Sequence, residues 1–263
     1  MKISIVTLSF NQRAYLKEAI DSVLSQGYPD LDYIVVDPGS TDGSRELIKS
    51  YGDQIAATIF EPDHGAADGL NKGFARATGD IYGFLNADDI LYPGSLNHVA
   101  GFFQRHPKCD VAMGNGYKID GHGRKTRHYV ARDFSVRRFF YGGTQWLQQS
   151  TFFRASLFEL SPGFNIENRT SWDGELFLNF ANLGANIGYI DEDLGGFRIH
   201  EESISGSGRM NEQYQKDCRR IFRQMTGREW KARDEIFSLF FRAEGFLKGI
   251  SERMQWQARK RAA

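Results

Sequence analysis

Asp80-Ile81-Tyr82-Gly83-Phe84-Leu85-Asn86-Ala87-Asp88-Asp89 is a short apolar run that breaks into two adjacent carboxylates just before Ile90-Leu91-Tyr92-Pro93. An apolar run of this length reads as a buried strand. A strand that delivers acidic side chains to the carboxyl edge of a sheet is a place to hold a hard divalent cation. Mg²⁺ and Mn²⁺ prefer oxygen ligands and share their remaining positions with phosphates. The stretch therefore points to a metal-bridged phosphate ligand at a strand end.

The flanking sequence agrees. Residues 2 to 9 are β-branched and apolar, too short to span a membrane, and read as a first buried strand. Asn11 is expected at an N-cap before a helix whose apolar residues Tyr15, Leu16, Ala19, Ile20, Val23 and Leu24 recur at helical spacing. Tyr33 to Val36 is a second strand ending at Asp37. The turn from Pro38 to Ser44 offers Ser40 or Asp42 as a cap for a helix through Tyr51. A third strand is expected over Ala56 to Phe60, a third helix over Ala66 to Ala77 and a fourth strand over Ile81 to Leu85. This alternation predicts an α/β fold with a mostly parallel sheet flanked by helices. Ligands of such sheets bind outside the carboxyl ends of the strands, where Asp37 and Asp88 both fall.

Thr7-Leu8-Ser9-Phe10-Asn11, Val36 to Ser44, Asn71-Lys72-Gly73, Ala77-Thr78-Gly79-Asp80 and Phe84 to Asp89 together resemble the ordered motifs of family 2 glycosyltransferases. These are inverting, metal-dependent enzymes with the A-type nucleotide-sugar fold, and five motifs in order are far more specific than any one. The likeness continues more weakly to about residue 205. It implies that Asp37 accepts hydrogen bonds from the base or ribose of a nucleotide, and that Thr7, Ser9 and Asn11 wrap the base. Asp68 and Lys72 are implied in nucleotide contact. Asn86-Ala87-Asp88 fills the family's Asp-x-Asp slot with Asn86 in place of the first carboxylate. The implied Mn²⁺ or Mg²⁺ then depends on Asp88, with Asp89 as a further ligand or a support behind it. Pro38 lacks the N–H that another residue there would offer. His64 reads as surface decoration.

The second half is expected to supply the acceptor side. Trp146 to Arg154 resembles a segment lining the sugar pocket, with Phe152 and Phe153 as core. Trp172-Asp173-Gly174-Glu175 resembles the family's Glu-Asp motif opening a helix, with Trp172 where the family usually has Glu. Asp173 is the implied general base and Glu175 the reserve. Phe197 to Ser205 resembles a loop that closes over the donor, with His200 as a third metal ligand or phosphate donor and Arg198 as a phosphate partner. The implied reaction moves one sugar from a nucleoside diphosphate donor, a UDP-sugar in the leading reading, to a saccharide or lipid-linked acceptor, as in surface polysaccharide assembly. Processive synthases of the family carry Gln-x-x-Arg-Trp, and Gln224 to Trp230 has the wrong spacing for it. A non-catalytic nucleotide- or sugar-binding protein of the same fold, favoured by Asn86 and Trp172, stays open. A sugar nucleotidyltransferase does too, although residues 7 to 13 lack its Gly-rich phosphate loop.

With 263 residues and 41% hydrophobic content, the chain can bury one substantial core. Residues 1–208 are read as the catalytic domain, 1–115 its nucleotide-binding half and 116–208 its acceptor half and lid; residues 209–263 are read as a basic helical extension. Cys109 and Cys218 show no metal spacing and no disulfide framework, which points to a reducing, cytoplasmic setting. The opening apolar run is interrupted by Asn11-Gln12-Arg13, unlike a signal peptide. Net charge is zero, yet residues 211–263 hold 13 Lys or Arg against 7 Asp or Glu. Ile236, Phe237, Phe240, Phe241, Phe246 and Leu247 with basic neighbours and Arg259-Lys260-Arg261 permit a helix lying on the inner face of an anionic membrane. Packing on the catalytic domain, or on a second subunit in a homodimer, is the competing expectation. No nucleic-acid-binding motif accompanies the basic residues.

Overall fold

Alternate residues of the first two strands part to opposite faces of one sheet. Ile3 and Ile5 of β1 (Ile3–Leu8) and Tyr33 and Val35 of β2 (Leu31–Val36) enter one core, while Val6, Ile34 and Val36 enter the other. A parallel strand covered on both faces must be apolar on both, which is why these runs look continuous rather than alternating. The computed structural model describes the backbone of residues 1–262 and the side chains of all of these except 204, 205 and 250–262.

Helices α1 (Arg13–Leu24) and α2 (Ser44–Ser50) cover the first face, and α3 (Ala66–Phe74), after the short β3 (Ala57–Ile59), covers the second. The third helix lies close to the sheet because Gly69 and Gly73, one turn apart, face β1: a Cβ at either would run into Leu8 or Val6. Next come β4 (Ile81–Asn86), β5 (Ile90–Leu91), α4 (Ser95–Arg105), β6 (Val111–Ile119), β7 (Lys125–Tyr129) and α5 (Val136–Tyr141). They are followed by β8 (Thr151–Arg154), α6 (Ala155–Leu160), α7 (Trp172–Asn182), β9 (Ile187–Arg198), α8 (Ile204–Ser207), α9 (Asn211–Thr226) and α10 (Ala232–Ala262).

The sheet runs β3-β2-β1-β4-β8-β6-β9-β5, with β7 paired to β6. Its first four strands are parallel, as the alternation of strands and helices predicts. Beyond them β8 inserts antiparallel between β4 and β6, and β9 is parallel to β6. The division expected at 115/116 falls inside β6.

Three local expectations are corrected. Asn11 is not the cap of α1; Gln12 is, and Asn11 takes a left-handed backbone with φ 53°. Its side-chain oxygen accepts from Thr41 N–H and its own N–H donates to Ser40 Oγ, so it ties the loop after β1 to the loop after β2. The cap position of α2 is Gly43, and Asp42 instead accepts from the N–H groups of Arg13 and Ser44, linking the starts of two helices. The third helix stops at Phe74 rather than Ala77. Thr78 is drawn into a turn, its N–H and hydroxyl both donating to the buried carboxylate of Asp32.

The C-terminal helices pack on this body. Arg220 of α9 meets the buried Glu175, and Phe222 packs edge-on against Phe140. Asp234 of α10, fully buried, accepts from Arg228 and Tyr141, and Phe241 stacks on Tyr141. Among the described residues no helix is long and apolar enough to cross a membrane.

Candidate active site

The two residues that follow Asp89 determine what surrounds it. Ile90 and Leu91 pair antiparallel with Gly196 and Gly195 of β9, which brings the end of that long strand back over the acidic turn after β4. His200 Nε2 then lies 3.1 Å from Asp88 Oδ2. The ring of His200 also rests against Tyr15, with centroids 4.6 Å apart.

The two neighbouring acids have different fates. Asp89 is 1% exposed and both its oxygens are engaged: Oδ1 accepts from Arg198 N–H, Oδ2 from the side-chain amides of Gln149 and Asn86. Burial, with the negative Asp88 beside it, pushes the Asp89 carboxyl well above the usual carboxylate range. Asp88 points to the cavity. The structure therefore makes Asp89 a prop for the turn and leaves Asp88 as the available acid. Arg198, expected at a phosphate, is likewise a strut. It is 1% exposed, and its guanidinium donates to the carbonyls of Asp88 and Asp120 and to the carboxylate of Glu18.

Among the described residues no group of three or more His, Cys, Asp or Glu side chains is placed to hold a metal ion. Asp88, which lines a cavity, and His200 beside it offer one carboxylate and one imidazole. Two protein ligands suit an ion such as Mn²⁺ or Mg²⁺, which keeps waters and takes its other ligands from substrate phosphates.

The acidic turn opens on a cavity of about 890 Å³. The ends of β1 and β2 contribute Ser9, Phe10 and Pro38, the loop before α3 contributes Asp63, His64 and Gly65, and Asn86 and Asp88 close that side. Among the described residues Ser9 Oγ and Asp37 Oδ2 are buried without a hydrogen-bond partner, Ser9 at the cavity wall and Asp37, 0% exposed, behind it next to Pro38. The other oxygen of Asp37 accepts from Gly39 and Ser40 N–H and from Arg45 Nε. Buried polar atoms in folded proteins are almost always paired, so orphan acceptors beside a cavity indicate a ligand that donates.

The opposite wall comes from the second half. Trp146, Leu147, Gln148 and Gln149 line it, as the sequence suggests, and Gln148 Oε1 is another atom buried without a hydrogen-bond partner among the described residues. Phe152 and Phe153 are core. At the start of α7, Asp173 lines the cavity, its Oδ1 accepting from Gly174 N–H, at 2.8 Å. Burial raises its carboxyl to about 6, against the lowering effect of the Gly174 and Asp173 N–H groups. Glu175 is removed as a reserve base. It is 2% exposed and accepts from Arg220 at 2.6 and 2.8 Å and from Asn165 and Asn168. Burial alone would raise its pKa, but those partners together hold it below the ordinary value.

Three further expectations are not met by the geometry. Thr7 is fully buried and accepts from Tyr33 Oη rather than facing the cavity. Asp68 and Lys72 pair with each other at 3.2 Å and hold the 61–65 loop, Asp68 by accepting from His64 N–H and Lys72 by donating to Pro62 O. His64 is exposed, as a surface residue would be, but it is more than decoration: it also borders the cavity, and its carbonyl accepts from Arg169. Phe139, Arg169 and Tyr214 are wall residues that no motif announces as such. They come from α5, the loop before α7 and α9, and only the fold brings them together.

The sequence model of the family described as Glycosyl transferase family 2 matches residues 4–161. An uncharacterized glycosyltransferase of a Nostoc species is 32% identical over 213 residues, covering 76% of this chain; the chain spans 65% of that relative's length. Among solved structures, S. aureus TarS 1–349 in complex with UDP-GlcNAc superposes with a TM-score of 0.69 at 19% identity, over 94% of this chain and 72% of that one. The mannosyltransferase PcManGT from Pyrobaculum calidifontis, in complex with GDP-Man and Mn²⁺, gives a TM-score of 0.65 at 18% identity over 94% and 69%. At those identities the structures share the fold. The family match, which takes in the acidic turn after β4 and the strands that carry it, is what establishes that this chain belongs to glycosyl transferase family 2.

Proposed function

We propose that the protein is an inverting glycosyltransferase that moves one sugar from a nucleoside diphosphate donor, a UDP-sugar, to a hydroxyl of a saccharide or lipid-linked acceptor, in polysaccharide assembly. The observation that carries this reading is that Asp88, beside His200, and Asp173, with its carboxyl raised to about 6, line one cavity. A site that only bound a nucleotide would have no use for a carboxyl poised near neutrality on the opposite wall.

The nucleoside would enter between Ser9, Pro38 and the 61–65 loop, donating to Ser9 Oγ and to the free oxygen of Asp37. Asp88 and His200 would hold Mn²⁺ or Mg²⁺, which when bound neutralises charge on the diphosphate. Gln148 offers its free amide oxygen to a sugar hydroxyl, and the rings of Trp146 and Trp172 offer apolar surface to the C–H faces of the sugar. Asp173 would take the proton from the acceptor hydroxyl as that oxygen bonds to the anomeric carbon. The bond from that carbon to the diphosphate breaks, and the nucleoside diphosphate leaves on the opposite face, which inverts the configuration. No covalent bond to the protein is required.

Asp173→Asn tests this directly. Turnover of a UDP-sugar should be lost while donor binding persists, and the wild-type product should have inverted configuration by NMR. Full activity in Asp173→Asn, or a retained configuration, would refute the assignment.

A further inference from the structure

Among the described residues, the face of α10 from Ile236 to Leu247 has no cover. Ile236, Leu239, Phe240, Phe246 and Leu247 are each between 64% and 69% exposed, and with Ala243 they recur at helical spacing along one side. The other side carries the groups that anchor the helix: Asp234, Ser238 and Phe241 are buried against the body, and Glu244 and Lys248 pair with Arg138 and Asp133. So many large apolar groups contiguous on one helix face mark an interaction site rather than ordinary surface.

Charge identifies the partner. Beside the stripe a second cavity of about 280 Å³ is lined by Arg127, Tyr129, Arg242 and Phe246. Among the described residues neither Arg127 nor Arg242 has a carboxylate partner; Arg127 only stacks on Tyr129, 4.8 Å from the ring centroid. Arg137, over the rings of Phe237 and Phe241, has none among the described residues either. The nearby acid, Glu235, accepts from Trp230 Nε1. Residues 211–263 carry an excess of six positive charges, to which Arg259, Lys260 and Arg261, whose side chains lie outside the described residues, contribute half. A two-fold contact with a second copy would set this basic border against itself. An anionic bilayer complements both parts of the surface at once.

We propose that α10 docks the chain on a membrane containing anionic lipid. The stripe from Ile236 to Leu247 lies among the upper acyl segments, and a lipid phosphate sits in the cavity between Arg127 and Arg242. Because α5 carries Phe139 into the large cavity and stacks Tyr141 on Phe241, the docked face connects through one short helix to the site. The docking itself depends on no donor or acceptor chemistry.

The test is co-sedimentation of the full chain with vesicles of phosphatidylcholine alone or mixed equally with phosphatidylglycerol, at low and high salt. The mixed vesicles should bind ~tenfold or more tightly than the neutral ones, with the advantage lost at high salt. Phe240→Ser with Leu247→Ser should weaken binding by ~tenfold, since two large apolar groups leave the interface. Arg127→Glu with Arg242→Glu should bring mixed vesicles down to the neutral level. All four positions are exposed, and circular dichroism of each variant would verify the fold. Equal binding to both vesicle types, or none, would overturn the proposal. So would a wild-type dimer in lipid-free ultracentrifugation that Phe240→Ser with Leu247→Ser converts to monomer, because the face would then join two copies.

Discussion

Each of the two cavity walls carries a pair of acids close in sequence, and each pair divides its labour. On the donor wall Asp89 is saturated and Asp88 faces the cavity; on the acceptor wall Glu175 is saturated and Asp173 faces it. The difference lies in how the saturated member is held. Asp89 is gripped by neutral donors, two side-chain amides and one backbone N–H, and its carboxyl is pushed up. Glu175 is gripped by a guanidinium with two amides, and its carboxyl is held down. The donor wall is thus fastened within the sheet, between β4, β9 and the segment before β8. The acceptor wall is fastened by an ion pair to α9, an element outside the sheet.

The largest effect should separate the free members from the saturated ones. Asp173→Asn should lower turnover by roughly 10²–10⁴-fold, the usual contribution of a positioned base. In the wild type the rate should fall as pH drops through about 6, where Asp173 takes up its proton, and that limb should be absent from any residual activity of the variant. An unchanged pH–rate profile would remove Asp173 from the chemistry.

Next in size is the loss of an acceptor-wall anchor. Glu175→Gln leaves Arg220 without its charge partner and should cost about 3 kcal/mol in denaturant unfolding, at the low end for a buried pair because the guanidinium is partly exposed. The sign of the pH dependence follows from the lowered carboxyl. The stabilisation is present above the unfolded value near 4.5 and is lost as pH falls through the folded one, so wild type and variant should converge in acid. Asp89→Asn, in contrast, exchanges a neutral-partnered acid for a neutral amide and leaves one of three donors facing the wrong group. About 1–2 kcal/mol is expected, with a pH dependence opposite in sign to that at Glu175: the raised Asp89 carboxyl destabilises the fold once ionised, so the deficit of the variant should shrink as pH rises. If both variants lose the same stability with the same pH profile, the contrast between the walls is wrong.

The smallest effect has the opposite sign. A carboxyl raised to about 6 from an ordinary 3.8 destabilises the fold when ionised; the penalty is absent below the lower value and complete above the higher. Asp173→Asn should therefore stabilise the protein at pH 7.5 by about 1 kcal/mol, after allowing for the partial exposure of the group. A thermal melt of the two proteins measures it, and a destabilised variant would show that the carboxylate is structurally satisfied.

The donor wall was the more legible in sequence. Its strands are short apolar runs and its acids sit where a run breaks, so periodicity and composition place them. What could not be read was which side chains the sheet would consume. Thr7, Asp89 and Arg198 belong to motifs, yet Thr7 and Arg198 turn inward because β2 and β9 bring Tyr33 and Asp88 O within reach. The parallel half of the sheet follows from alternating strands and helices, whereas the antiparallel insertion of β8 depends on pairing between residues more than 70 apart, which no local pattern encodes. The same holds for Arg169, Tyr214 and Phe139, whose roles exist only once α5 and α9 pack beside α7.

The central claim is that Asp88 anchors a metal-dependent nucleotide site, and calorimetric titration of UDP and GDP with and without Mn²⁺, on wild type and Asp88→Asn, tests it most directly. UDP binding that requires Mn²⁺ and weakens at least tenfold in Asp88→Asn is the predicted result. Binding of neither nucleotide, or UDP binding that is indifferent to both Mn²⁺ and Asp88, would contradict it.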